Sequence, residues 1–312
     1  MKKSMTPNAG GKIIGVFFDD PKFDDYPFDD PEYRQSYSQF AKMFEDRGAG
    51  FWIVRAQERY MGGNRFSEGW KFEKGDFHLH PEPVELNVIY NKGHFVGDDR
   101  AVIINEPTFE SICTDKAETY RLFPSLFPVT VVAKDRVEAE RLLAGLKTDM
   151  IVAKPPDQEG GKGVKVLPRA EIIRAIPSYP YLLQEFIDTS DGIEGIAGSM
   201  HDLRMNIVGG TLVIAYVREP KAGSYLANES QGGTLTEVSL SKLPREVLAI
   251  GNVVDESLQR FPHRVYSIDL GRDRSGQWKL FELNSKPGLD PVGKYPGAER
   301  FMQALVDVLL SV

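Results

Sequence analysis

An open α/β sheet at the front of the chain, followed by a mixed α+β region built on hairpins, is the architecture this sequence predicts. Two patterns carry that prediction. Between residues 11 and 105, apolar runs alternate with a strongly periodic helical stretch, the order that produces a sheet with crossover helices. Beyond residue 200, apolar runs come in pairs joined by glycine-containing turns, at Gly209-Gly210 and at Arg274-Ser-Gly276, which reads as antiparallel hairpins.

Composition narrows the class. A chain of 312 residues is long enough for two or three packed modules. Hydrophobic and charged fractions of 41% and 27% are those of a soluble globular protein. A net charge of −7 disfavours a polyanion such as nucleic acid as partner of the whole surface. Cys113 is the sole cysteine, which excludes an internal disulfide and suits a small buried hydrophobe. Lys2 and Lys3 precede an apolar run, residues 13–18, that is too short for an export signal and ends at Asp19 and Asp20. No segment approaches membrane-spanning length, so the expectation is a cytoplasmic enzyme without a membrane partner.

In order, residues 12–18 read as a buried strand, apolar on both faces. An acidic loop follows with a five-residue echo: Asp19-Asp-Pro-Lys-Phe, Asp24-Asp-Tyr-Pro-Phe, Asp29-Asp-Pro-Glu-Tyr. Its prolines and paired aspartates exclude regular helix. Residues 32–47 have helical spacing through Tyr33, Tyr37, Phe40 and Phe44 and stop at Gly48. Strands are expected at 51–54, 83–90 and 101–104, with a polar, glycine-broken region between the first two. Loops at strand ends of such a sheet face the ligand crevice. The acidic loop therefore reads either as a selector of a cationic, amine-bearing substrate or as a solvated connection. The turn Asn91-Lys-Gly-His94 is similarly placed, with Lys92 as an anion contact.

A helix opens at Asp115-Lys116, a strand follows at 128–132, and 136–146 is amphipathic. The strand 150–154 ends in Lys154, followed at once by Pro155-Pro-Asp-Gln-Glu159-Gly-Gly-Lys-Gly163 and a strand at 164–167. Consecutive glycines let backbone N–H groups fold onto phosphates while lysines supply charge. The lysine precedes Gly163 rather than Ser or Thr, so this is not a Walker loop, and a bare hairpin tip fits it too. Residues 181–187, ending Gln184-Glu-Phe-Ile187, form an apolar strand whose exposed exit suits pairing with an adenine edge. The hairpin of residues 201–218 carries Arg204 and Arg218 near its outer ends, where a pair of guanidiniums can clamp a phosphoryl group or make surface ion pairs. A Gly- and Ser-rich loop spans 219–236, and helices are expected at 244–261 and 297–310. Between them the hairpin of residues 266–289 places Glu282 and Asn284 on one strand face with Asp269 on the partner strand. Three oxygen-bearing side chains converging there suit a hard cation such as magnesium, completed by phosphate oxygens. An exposed polar strand face would look the same.

The order of these features resembles the ATP-grasp superfamily, in particular its glutathione synthetases and ribosomal-protein glutamate ligases. The resemblance is dense over residues 105–290; over 11–104 it rests on the strand–helix pattern and the Asn91-Lys-Gly turn. It implies an ATP-grasp fold behind an N-terminal open, Rossmann-like α/β (pre-ATP-grasp) domain, divided as 1–105, 106–188 and 189–312. By the same resemblance, Lys116 and Lys154 would contact ATP phosphates, and Glu159, Gly160, Gly161, Lys162 and Gly163 would close over them. Gln184, Glu185, Phe186 and Ile187 would line the adenine slot, with Asp191 or Glu194 on the ribose. Asp269, Glu282 and Asn284 would bind two magnesium ions, replaceable by manganese. Arg204, Arg218 and Asn228 would hold an acyl phosphate. The implied activity is an ADP-forming ligase joining a small-molecule carboxylate to an amine, each an amino acid or peptide, in a monomer or homo-oligomer. A phosphotransferase or a nucleotide-binding regulator on the same scaffold is the alternative. Two departures stand out. Relatives typically carry arginine where this chain has Leu226, so that part of the clamp is missing or supplied otherwise, for example by Lys221. Ser267-Ile-Asp269 replaces the Arg-x-Asp of D-alanine–D-alanine ligases and argues against their activity. The Lys286-Pro-Gly-Leu289 tail resembles the Ser-Pro-Gly-Leu of glutamate-ligase relatives, with Lys286 facing substrate.

Overall fold

The computed structural model describes residues 11–158, 160–227 and 232–312. At its front, strand β1 (Ile13–Phe18) enters the acidic loop, and helix α1 (Pro31–Glu45) starts where the Asp30 side chain accepts from the Glu32 N–H. Strand β2 (Gly50–Arg55) then pairs parallel to β1. The region expected to be broken holds short strands: β3 (Tyr60–Gly62), β4 (Arg65–Phe66), β5 (Gly69–Glu73), β6 (Asp76–His80) and β7 (Val84–Glu85). Residues 83–90 are not one strand. They step from β7 across to β8 (Val88–Asn91), because the Leu86 N–H bonds the Asn64 carbonyl and the Asn87 N–H bonds Ile13. With β9 (Ile103–Ile104), the main sheet runs β6-β5-β2-β1-β8-β9. Its core strands are parallel, and β5 and β6 extend it antiparallel.

Alternation along β1 explains why it is buried on both sides. Ile14, Val16 and Phe18 pack toward α1, whereas Phe17 joins Val54, Ile89 and the small β3-β4-β7 sheet that covers the other face. Gly15 lies under Leu86; a Cβ there would sit 2.3 Å from the leucine side chain.

The middle of the chain contributes α2 (Pro107–Thr114), unexpected from sequence, and α3 (Lys116–Leu122), capped by Asp115. Strand β10 (Thr130–Ala133), helix α4 (Arg136–Leu143), β11 (Met150–Lys154), β12 (Lys165–Pro168), α5 (Arg169–Ala175) and β13 (Tyr181–Glu185) form a separate sheet, ordered β10-β13-β11-β12. Its core of Ala139, Leu143, Ile151, Ile172 and Leu183 is its own.

The last third folds β14 (Asp202–Val208), β15 (Thr211–Glu219), β16 (Thr234–Val238), helix α6 (Arg245–Ser257), β17 (Val265–Arg272), β18 (Trp278–Asn284) and helix α7 (Ala298–Ser311). The sheet order is β16-β15-β14-β17-β18. One face packs Leu203, Met205, Ile268 and Leu283 toward Val247 and Val254 of α6. Val213 and Ile214 share a core with Phe301, Met302 and Leu305 of α7 and with Ile14, Val16 and Phe40 of the first sheet. The first and last sheets are therefore one apolar unit, with the middle sheet set against it. Among the described residues, no helix is long and apolar enough to cross a membrane.

Candidate active site

Register builds a polar grid on the face of the last sheet opposite α6. Arg204 pairs across to Asp269, and Asp269 to Glu282; one step along, Asn206 pairs with Ser267 and Ser267 with Asn284. Alternation puts these positions on a common face, and a register shift after Asp269 ends the grid there.

Asp269 is buried among guanidiniums. Arg204 donates to it through Nε at 2.8 Å and through a terminal nitrogen at 2.7 Å, and Arg218 donates at 2.7 Å. Arg218 also grips both oxygens of Asp202, at 2.6 and 2.7 Å. Burial alone would push the Asp269 carboxyl up, but the two arginines overcome it and hold it well below the usual carboxylate range. Burial raises Asp202 despite Arg218. Such a network costs desolvation and in return fixes geometry. Glu282 has no ion-pair partner among the described residues.

Lys154 ends β11 buried, its ammonium 3.3 Å from the Phe281 carbonyl. Desolvation lowers its pKa to about 8, against the pull of Glu282. A cleft joins Lys154 to Gly161, Gln184, Glu185, Phe186, Ile187, Arg218, Asp269 and Glu282. Val152, Val164 and Val166 supply apolar wall, and Tyr225 meets Phe186 edge-on at 5.2 Å between ring centres. Gln184 and Glu185 turn their side chains to Thr130 (2.7 Å) and to the Lys147 N–H (2.6 Å), so those groups brace the middle sheet.

A second, polar cavity shares Arg218 and Glu282 with the first. Arg204, Asn284, Lys286, Gly160 and Lys162 line it, together with Asp19, Asp20, Tyr26, Tyr33, Lys92 and His94 from the first sheet. The acidic loop here is built rather than merely solvated. Arg55, fully buried beneath it, donates to the carbonyls of Asp20, Phe23, Asp25 and Tyr26, and burial lowers its pKa to about 10. Asp24 pairs with Arg34 at 3.2 Å and Asp30 caps α1, which leaves Asp19 and Asp20 to reach the cavity.

The RimK-like ATP-grasp domain matches residues 124–307. The chain belongs to that family. It is 28% identical over 187 residues to a probable alpha-L-glutamate ligase of Xanthomonas oryzae, covering 57% of this chain and 58% of the relative. It is 29% identical over 200 residues to one of Legionella pneumophila, covering 61% of each. The match thus spans about three fifths of those relatives' length. Over the whole chain the fold is shared with D-alanyl-alanine synthetase A of Vibrio cholerae (TM-score 0.67, 13% identity, 96% of this chain and 98% of that one). It is shared as well with an ATP-grasp ligase of Chryseobacterium gregarium described with ADP and a leader and core peptide (TM-score 0.63, 12% identity, 96% and 97%).

Within this ATP-grasp frame, most of the expected residues converge and some do not. Lys116 opens α3, but its ammonium donates to the Gln158 carbonyl and its N–H to Pro156 at 3.0 Å. It ties down the foot of the glycine loop and lines neither cavity. Asp191 is exposed 3.5 Å from Arg274, and Glu194 sits on the outer side of a tight loop closed by an Ile193–Ala197 bridge; neither lines the cleft. Leu226 lines the cleft where arginine was expected, and Lys221 lines neither cavity. Glu159 and Asn228 lie outside the described residues. Lys286 is largely buried, paired with Glu110 and donating to the Gly93 carbonyl, while Lys92 donates to Pro287 at 2.7 Å. These two lysines bind the first sheet to the strand that carries Glu282 and Asn284.

The donor set fits magnesium. Among the described residues no trio of His, Cys, Asp or Glu gathers. Glu282 keeps both carboxylate oxygens, Asp269 has three of its four acceptor sites filled by arginine, and the Asn284 Oδ1 accepts from the Lys286 N–H at 2.8 Å. Two hard carboxylates and an amide oxygen leave room for phosphate oxygens, the coordination magnesium favours.

Proposed function

We propose that this chain is an ATP-dependent carboxylate–amine ligase that forms an amide or peptide bond through an acyl phosphate and releases ADP and phosphate. The observation that carries the reading is the junction of the two cavities at Arg218 and Glu282. Nucleotide enters the apolar cleft with its phosphates toward Lys154, and the acceptor and carboxylate occupy the polar cavity. Glu282, Asp269 and Asn284 would hold magnesium, two ions in the full reading, supplying charge neutralisation to the phosphates. Arg218 and Arg204 hold the developing negative charge where the carboxylate oxygen meets the terminal phosphorus. No protein nucleophile is needed, because the chemistry is positioning and electrostatics. The first and last sheets (1–105 and 189–312) supply the acceptor cavity, and the middle sheet (106–188) is the nucleotide lid. Lys116, here bonded to the Gln158 carbonyl, stands close enough to Lys154 for its charge to lower that lysine's pKa, and Asp191 and Glu194 lie outside the cleft lining. A cytoplasmic setting and small-molecule or peptide substrates go with this reading.

The test is a screen of amino-acid pairs for ADP release, with L-glutamate tried first as either partner because the curated relatives are named for it. Amide accumulation supports the ligase. A phosphate ester would replace it with a phosphotransferase, and ATP binding without turnover would replace it with a regulator.

A further inference from the structure

Ligation has a requirement that the phosphate machinery does not meet. An amine arrives as an ammonium and must lose a proton before its nitrogen can attack. The titratable groups around Arg218 already have partners or assigned roles: Asp202 and Asp269 are bound by arginine, Glu282 is assigned to the metal and Lys154 to phosphate.

The turn after β8 offers a group suited to take the proton. His94 stands at the rim of the acceptor cavity with its side chain 86% exposed, and Asp19 at the end of β1 holds it at two points. Asp19 accepts from the His94 backbone N–H at 2.6 Å and meets the ring Nδ1 at 2.7 Å. With Nδ1–H given to the carboxylate, the Nε2 lone pair is free. The surrounding turn is shaped for this contact. Asn91 Oδ1 accepts from the Gly93 N–H at 3.1 Å and from the Phe95 N–H at 3.3 Å. A Cβ at Gly93 would lie 2.4 Å from the Asp19 carboxylate, so only glycine lets that carboxylate close over the turn. The Gly93 carbonyl in turn accepts from Lys286, two residues beyond Asn284, which fixes the turn to the metal-bearing strand.

We propose that the His94–Asp19 pair is the general base for the acceptor, an inference that rests on the ligase reading. His94 Nε2 takes one proton from the ammonium. The freed amine lone pair forms the C–N bond to the acyl carbon, the acyl C–O bond to phosphate breaks, and phosphate leaves with that electron pair. The second amine proton goes to the departing phosphate, and the imidazolium later yields its proton to water. Asp19 is the positioning residue, setting the tautomer and stabilising the imidazolium. The charged groups that line the cavity with His94 are Asp19 and Asp20, Lys92, Lys162, Lys286, Arg204, Arg218 and Glu282. On its other side stand Glu110, Asp115 and Asp157.

Hydroxylamine separates this step from the rest of the reaction, because it is a nucleophile already neutral near pH 7 and needs no base. The wild-type protein is given ATP, magnesium, the carboxylate that the pair screen returns and either hydroxylamine or the amine partner from the same screen. His94→Gln should lower amide formation by about a hundredfold or more, within the range for a lost general base, while hydroxamate formation falls at most a few-fold. Imidazole added to His94→Gly should restore part of the amide rate, and Gly93→Ala should mimic Asp19→Asn. Equal losses with both nucleophiles, or full amide activity in His94→Gln, overturns the base. Absence of hydroxamate from the wild-type protein overturns the ligase reading instead.

Discussion

The first cleft takes its apolar wall from the middle sheet and its exit, Val152, Val164, Val166 and residues 184–187, and its charged wall from Asp202, Arg218, Asp269 and Glu282 of the last sheet, whereas the second cavity adds Asp19, Asp20, Lys92 and His94 from loops of the first sheet. On the first side, burial sets the chemistry: Lys154 sits in an apolar surround that lowers its pKa to about 8. On the second, pairing sets it, with His94 on Asp19 and Lys286 on Glu110, while the pairs of Arg218 with Asp202 and Asp269 stand where the two meet. The difference teaches where each substrate's selectivity comes from. In the proposed reading a nucleotide would be recognised by the apolar wall and the desolvated Lys154 beside the fixed charges at the junction, and an acceptor by a field of compensated charges.

The sharpest way to break this comparison is at the boundary. Glu282→Gln should bring turnover to background in a coupled ADP assay while leaving the melting temperature close to wild type, because no ion pair is lost. Near-normal turnover would remove the metal assignment. Asp269→Asn should also stop turnover but destabilise as well, by about 3–5 kcal/mol in urea unfolding, since two buried guanidiniums lose their shared carboxylate. If both variants unfold alike, Asp269 is not the keystone of the arginine network.

On the nucleotide side, Lys154→Ala should weaken ATP about ten- to hundredfold and adenosine hardly at all, as expected for loss of a charge-assisted bond. The wild-type affinity should fall as pH rises through about 8, where the buried ammonium gives up its proton. Bound phosphate favours the charged form, so ATP binding near that pH should draw a proton from solution. Calorimetry in buffers of different ionisation enthalpy reads this uptake directly, and Lys154→Ala should abolish it. On the acceptor side the effect is smallest. Asp20→Asn should raise KM for a cationic acceptor a few-fold at low salt, a difference that shrinks as salt screens it. Asp30→Ala, by contrast, should leave KM alone and cost about 1 kcal/mol through the lost helix cap. Identical behaviour of the two variants would mean the loop does not steer.

Legibility in the sequence divides along the same line. The hairpin β17–β18 was readable because its apolar positions alternate and a glycine turn separates them, and α1 because Tyr33, Tyr37, Phe40 and Phe44 repeat at helical spacing. Lys154, the glycine loop and the 184–187 exit follow one another over a short stretch, so their order carried them. Strands β5 and β6 were hidden because Trp70, Phe72 and Phe77 alternate with Lys71, Glu73 and Asp76 over only five residues each. Helix α2 was hidden behind Asn105-Glu-Pro, which reads as a loop, although proline at the first turn is itself a start signal. Nothing local foretells that Arg55 will collect four carbonyls of the acidic loop, or that Lys116 will be spent on the Gln158 carbonyl. Such partners are remote in sequence and are chosen only when the sheets pack.

The two cavities touch through one arginine and one glutamate, Arg218 and Glu282. That narrow waist makes acceptor preference a separable trait. In the proposed reading, substitutions at Asp20, Tyr26 and Tyr33 can drift without disturbing how ATP is held, so long as the waist, Lys92 and the His94–Asp19 pair are kept. A lineage with this architecture can change its product by editing one wall, and a designer can do the same by grafting the 19–33 and 91–95 loops of another member as a pair.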